Sequence, residues 1–210
     1  MEIGISSYCR IKNNSLNING KNIPVPKQDS SAFFLAETYK ILGVNYPKFH
    51  KMDSLCKLGL LASEAALQNS GFTERNAADK IGILLANKAS SLDTDRIHQQ
   101  SISDKEKYLP SPSVFVYTLP NIVIGEIAIK HKITGENAFF VEPYFNPKLL
   151  IQQTEIMLKQ SDVSAVISGW IDFDNGNMDA LIYLAEIAYD SIKKLNFKPL
   201  NEELLKQLYQ

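Results

Sequence analysis

Apolar positions recur along this chain in two rhythms, every second residue or every third to fourth, and polar breaks between them mark out elements. Ile3 and Ile5 alternate with small or polar neighbours ahead of Tyr8, which predicts a first strand from about Glu2 to Cys9. The polar stretch 12–29 carries Asn19-Gly20 and prolines at 24 and 26, the marks of a loop or small surface hairpin. Ser30 or Ser31 can cap a helix through Leu42, with Phe34, Leu35, Thr38, Ile41 and Leu42 on one face and Gly43 as the stop. The strongest helix runs from Met52 to Ser70. Asp53 sits at its start, Leu55, Leu58, Ala62, Ala65 and Ala66 recur at helical spacing, and Gly71 follows. Its small residues Gly59, Ala62 and Ala66 predict close approach by a neighbour. Lys80 to Ala86 is apolar on both faces, as a central parallel strand is. Leu92 to about Ser101 is a helix with a thin apolar face. Pro110-Ser111-Pro112-Ser113 breaks the chain, and Pro120 opens a helix to His131.

Residues 135–169 read as strand, tight turn, helix, strand. Ala138–Val141 is rich in strand formers and closed by Glu142-Pro143. Asn146 is a good N-cap, and Pro147 fits the first helical position, where its missing N–H costs nothing. The helix runs to about Gln160. Val163–Ser168 is a second buried strand, and Gly169 is expected to end it. The combination predicts a βαβ unit in a parallel sheet covered by helices. Chemistry in such sheets gathers at the carboxyl ends of strands, here Glu142 to Asn146, Gly169 to Asp172 and, after the earlier strand, Asn87 to Ser91. Asp172 to Asn177 is turn-like. Asp179 to Glu186 fits either helix or strand, and a return strand antiparallel to 163–168 would bury it. Asn201 to Tyr209 is an amphipathic helix.

With 210 residues and a net charge of −1, the chain is one domain or little more. Nucleic acid is a poor partner for so balanced a charge. No apolar run reaches membrane-spanning length and the N-terminus lacks signal-peptide character, so a cytoplasmic protein is expected. Cys9 and Cys56 are too few and too scattered for a disulfide framework. His50, His98 and His131 lie on separate segments without metal spacing, and no cofactor is expected. Gly82 lies inside a strand, and the glycines form no phosphate loop. Asp172 and Asp174 could pair as carboxylates, but acids before Asn175-Gly176 are ordinarily turn formers. Cys56 reads as core, and Cys9 has no base nearby in sequence.

Several segments together resemble the N-terminal half of a β-ketoacyl synthase, a condensing enzyme of fatty-acid and polyketide synthesis. They are M-D-S-L-C-K-L-G-L-L-A-S-E-A-A-L-Q-N-S-G-F at 52–72, K-I-G-I-L-L-A-N at 80–87 and P-S-V-F at 112–115. P-N-I-V-I-G-E-I-A-I-K-H-K-I-T-G at 120–135, D-V-S-A-V-I-S-G-W at 162–170 and G-N-M-D-A-L-I-Y-L-A-E at 176–186 complete the set. The resemblance implies an α/β thiolase-like half over residues 1–210, with a mixed, mostly parallel five-stranded sheet flanked by helices. It also makes 179–186 a strand.

The departures from the family matter as much. The family's strand at this point enters a Thr-Ala-Cys turn whose cysteine attacks the acyl thioester. Here the turn is Glu142-Pro143-Tyr144, so the nucleophile position falls on Tyr144. A phenol with an ordinary pKa of about 10 is a poor substitute for a thiol of about 8.5. The family's two histidines and lysine come from a C-terminal half with no counterpart in these residues. The resemblance therefore implies a non-condensing partner or scaffold for fatty-acid or polyketide-type synthesis, polyene pigments included. An acyl transferase or thioesterase acting on carrier-protein thioesters, and a purely structural dimer, stand as alternatives. The site rim expected from it is Glu142, Pro143, Tyr144, Phe145, Asn146, Asn87, Trp170 and Asp172. The resemblance further implies a homodimer, or a heterodimer with a full-length synthase, across Asn137, Ala138, Phe139, Phe140 and Val141. Acyl carrier protein is a further implied partner, and Phe140→Pro is expected to break the pairing.

Overall fold

Where apolar residues alternate or run together, strands form, and the caps named above set the helices between them. The computed structural model describes residues 2–26, 30–104, 106, 108–188 and 197–210. In chain order the elements are β1 (Ile3–Lys12), β2 (Ser15–Ile18), β3 (Lys21–Ile23), α1 (Ser31–Ile41), α2 (Ser54–Leu67) and α3 (Phe72–Arg75). There follow β4 (Ile81–Asn87), α4 (Leu92–Ser103), α5 (Pro112–Val116), α6 (Ile122–His131), β5 (Asn137–Val141) and α7 (Pro147–Gln160). The chain closes with β6 (Ala165–Asp174), β7 (Asn177–Ile187), β8 (Lys198–Pro199) and α8 (Glu202–Tyr209).

One sheet carries the order β3-β2-β1-β7-β6-β4-β5, with β8 beside β1. β4 pairs in parallel with both β5 and β6, while β7 runs antiparallel to β6 and to β1. Four of the five central strands therefore point one way, as expected of a thiolase-like half, and β7 opposes them. The sheet is wider than five strands because the surface hairpin β2–β3 and the short β8 extend it past β1. The strand reading of 179–186 holds: β7 zips along β6 from Ala165↔Glu186 to Asp174↔Asn177.

Two layers of helix cover the sheet. On one face Leu58, Ile83, Ile124 and Ile167 join a core under α1, α2 and α6. On the other, Leu84, Leu150, Trp170, Tyr183 and Leu205 pack beneath α7 and α8. Gly59 of α2 lies so close to α6 that a Cβ there would collide with a Val123 methyl, which accounts for the small residues on this helix. The side chains of Ser30, Asp53, Asn146 and Asn201 each accept a backbone N–H in the first turn of the helix they precede. Each such cap is worth about 1 kcal/mol.

Several boundaries differ from the sequence reading: α2 is shorter than 52–70, β6 starts at Ala165 rather than Val163, α5 begins within the 110–113 break, and two strand ends shift for a visible reason. β1 continues past Cys9 to Lys12, because Arg10, Ile11 and Lys12 find partners on both β2 and β7. Gly169 does not end β6; it pairs with Ile182 in mid-strand. A Cβ at 169 would overlap the Leu181 carbonyl oxygen, so glycine here admits the neighbouring backbone rather than stopping the strand. Asp172 and Asp174 are accordingly strand residues, and the turn shrinks to Asn175-Gly176, both at positive φ.

Candidate functional site

The parallel register brings the carboxyl ends of β4, β5 and the middle of β6 to one end of the sheet. Asn87 pairs with Val141, and Ala86 with Trp170. The Glu142 N–H donates to the Asn87 carbonyl at 2.8 Å, extending the ladder into the turn. The buried Asn87 side chain ties down the next loop, donating to the Ser90 carbonyl (2.8 Å) and accepting its N–H (3.0 Å). Asp172 Oδ1 accepts the N–H groups of Lys88 and Ala89 at 3.0 and 2.8 Å. That carboxylate is a loop anchor, and Asp174 is engaged elsewhere by Arg96 at 2.5 Å. They do not form a carboxylate pair with each other.

The turn itself is held by its ends. Asn146 caps α7 by accepting the Leu149 N–H (3.1 Å), and its amide donates to Glu142 Oε2 (2.8 Å). Pro143 and Tyr144 stand out in solvent, Tyr144 with 66% of its surface exposed. Phe145 turns inward, edge-on to Trp170 (6.1 Å between ring centres) and stacked on Tyr209 (3.9 Å). The eight residues expected to form the rim thus all lie at one end of the sheet. It places no thiol among them: Cys9 and Cys56 lie in the core beneath the helices on the opposite face. Burial pushes both thiols up from their ordinary range, which makes them poorer nucleophiles. The histidines are dispersed: His50 lies against Phe49, His98 against Phe115, and His131 is bonded to Glu64. Among the described residues no group of ligating side chains could hold a metal ion.

Three residues at this end escaped the sequence reading. Tyr209 lies between the Phe145 ring and the Arg10 guanidinium, 4.6 Å above its other face. Arg10 Nε donates to the Tyr209 carbonyl at 2.9 Å and pairs with Asp179 at 2.6 Å. The Tyr209 hydroxyl donates to Asp179, and burial followed by that carboxylate raises its pKa. The amphipathic pattern of α8 signalled a buried face, but nothing local pointed to Phe145. Trp170 Nε1 is buried and finds no hydrogen-bond partner among the described residues.

β5 is the edge of the sheet. The Ile83 N–H donates to the Glu136 carbonyl, and the Glu142 N–H to the Asn87 carbonyl. Even-numbered residues of β5 therefore direct their backbone groups toward β4, and odd-numbered ones direct theirs outward. This corrects the expectation for Phe140→Pro. The Phe140 N–H serves the internal ladder, whereas Asn137, Phe139 and Val141 present the open one.

The geometry has relatives of known structure. The ishigamide ketosynthase/chain length factor superposes with a TM-score of 0.61 at 16% identity, covering 90% of this chain and 63% of that one. A type II polyketide synthase acyl-carrier protein in complex with its ketosynthase bound to the hexaketide gives 0.68 at 10% identity, over 92% and 64%. A ketosynthase in complex with its chain length factor from Xenorhabdus doucetiae gives 0.59 at 12% identity, over 90% and 80%. At such identities the likeness is one of fold, and this chain spans under two thirds of the length of the first two. No curated protein matches by sequence. The family model "Beta-ketoacyl synthase, N-terminal domain" matches residues 26–141, more than half of the chain. The chain belongs to the β-ketoacyl synthase N-terminal domain family.

Proposed function

We propose that this chain, with residues 1–210 acting as one unit, is a non-condensing partner subunit of a ketosynthase, of the chain-length-factor kind. It would serve fatty-acid or polyketide-type synthesis. The observation that carries the reading is the turn after β5: family geometry leads into α7, but the residue presented at the nucleophile position is the exposed phenol of Tyr144. The chain's two thiols are buried in the core under the opposite helical layer. Group transfer needs an activated nucleophile with a base in reach, and Tyr144 has no imidazole or lysine hydrogen-bonded to it among the described residues. The open edge of β5 supports pairing with a second chain, and solved relatives include ketosynthases complexed with a chain length factor and with a carrier protein. A cytoplasmic setting suits the two free thiols. Among the described residues no helix is long and apolar enough to cross a membrane.

The test is reconstitution with candidate ketosynthases, acyl-carrier protein and malonyl-carrier protein. The expected result is co-purification with a ketosynthase and product only when that synthase is present. Steady condensation by this chain alone would overturn the proposal. Tyr144→Cys should remain inactive by itself, because a thiol supplies neither decarboxylation nor oxyanion stabilisation.

A further inference from the structure

The outward groups of β5 belong to residues 137, 139 and 141, and this parity fixes what a self-pairing would look like. A two-fold antiparallel pairing that uses all five residues must centre on Phe139, with Asn137 opposite Val141 of the second copy. Glu136 and Glu142 flank the strand, each three residues from Phe139. In that register Glu136 of one copy falls opposite Glu142 of the other, at both ends of the ladder. Being even-numbered, they form non-hydrogen-bonded pairs, where facing side chains come closest. Both project to the α7 side of the sheet: Ser161 beyond α7 bonds Glu136, and Asn146 before α7 bonds Glu142. Neither carboxylate forms an ion pair among the described residues. A homodimer would therefore juxtapose two pairs of like charges at the rim of an otherwise uncharged strand. Like charges directly opposite are destabilising and serve to exclude wrong partners.

We infer that Glu136 and Glu142 are specificity residues that reject a second copy of this chain and select a different chain. The selected strand runs antiparallel along β5 and carries basic residues opposite the two glutamates. The inference rests on the proposed partner function and names its charge complement. Ala138 and Phe140 lie between the glutamates on the same face, and Phe139 lies on the other, so an uncharged centre supplies adhesion while the two ends supply choice.

The chain itself provides the probe. Glu136→Lys/Glu142→Lys presents the basic flanks required of the partner, and mixing it with wild type places each lysine opposite a glutamate. Sedimentation velocity should find both proteins monomeric alone at micromolar concentration, and the mixture dimeric with an affinity at least about tenfold tighter than either self-association. Glu136→Lys alone leaves the Glu142–Asn146 bond intact and should self-associate, since the introduced lysine then faces Glu142 of the second copy. Val141→Pro in either member should abolish these complexes, with circular dichroism establishing that each variant is folded. A wild type that self-associates as tightly as the mixture overturns the inference, as does a folded mixture that stays monomeric. Neither result touches ketosynthase capture, which tests the parent proposal separately.

Discussion

The two edges of the sheet differ in the features that decide whether an edge invites pairing. At one end, β3 has three residues, two of them exposed and polar, and Pro24 and Pro26 follow directly. It is short, polar and followed by residues that cannot donate, the usual means of blunting an edge. At the other end, β5 has five residues without a charge, two of them phenylalanines only partly buried. Nothing in the described residues covers its outward N–H and C=O groups. Protection of one edge beside exposure of the other is the contrast on which the proposed pairing through β5 rests.

Substitutions can break or sharpen that contrast. The largest effect expected is from Phe140→Pro, which removes an N–H from the β4 ladder together with aromatic packing. It should cost about 3 kcal/mol or more of stability, read as a fall in the urea midpoint, whether or not a partner is present. Val141→Pro, one residue on, should keep the fold yet weaken capture of a ketosynthase by about 100-fold, a loss near 2.7 kcal/mol by titration. Equal destabilisation by the two prolines would refute the assigned parity.

Tyr209→Ala removes the ring clamped between Phe145 and Arg10 and should cost about 1–2 kcal/mol. Hydrogen exchange should then quicken at 142–146, beside the open edge, and stay unchanged at β3. Glu64→Gln leaves both edges alone and isolates a buried contact between α2 and α6. Burial by itself raises the Glu64 carboxyl, but bonds from His131 and Lys130 outweigh it and hold the group below its ordinary 4.5. A depressed folded pKa gives stability that is present above the unfolded value and lost as pH falls through the folded one. The variant should melt about 2–4 °C lower at pH 7, with the gap closing as the pH falls below the ordinary carboxylate range. The smallest effect belongs to Asn22→Pro. Asn22 faces Asn17 in the wide pair of a two-residue hairpin, so its N–H points to solvent, and a change under about 1 kcal/mol is expected with capture unaffected.

How much of this was legible beforehand depended on whether the signal was local. Asn146 and Pro147 announce α7, and Asp53 announces α2, because a cap and its helix lie within one turn of each other. Asn87 and residues 142–146 could be placed together because the strand–turn–helix order implies where β4 and β5 end, whereas Trp170 and Asp172 reach that end from within β6. Gly169 was misread because its role depends on the Leu181 carbonyl across the sheet, which no window around 169 contains. The orientation of the Phe140 N–H likewise needs the register against β4, and a one-residue shift would invert it. Tyr209 meets Phe145 across most of the C-terminal third of the chain, so only the folded molecule reveals that clamp.

The pairing of β1 with β7 has a consequence in time. Ile3 lies opposite Ile187, so β1 waits for a strand made much later before that side of its ladder can close. During synthesis the apolar side chains of β1 leave the ribosome long before β7 exists. Such distant pairing is slow to form and leaves the strand available for wrong contacts meanwhile. The hairpin β1–β2, closed by the Asn13-Asn14 turn, offers a local partner for its second half from the outset. Among the described residues the first half, Ile3 to Ser7, is received by β7 and β8 alone, and so it is the part of β1 that waits longest for a partner.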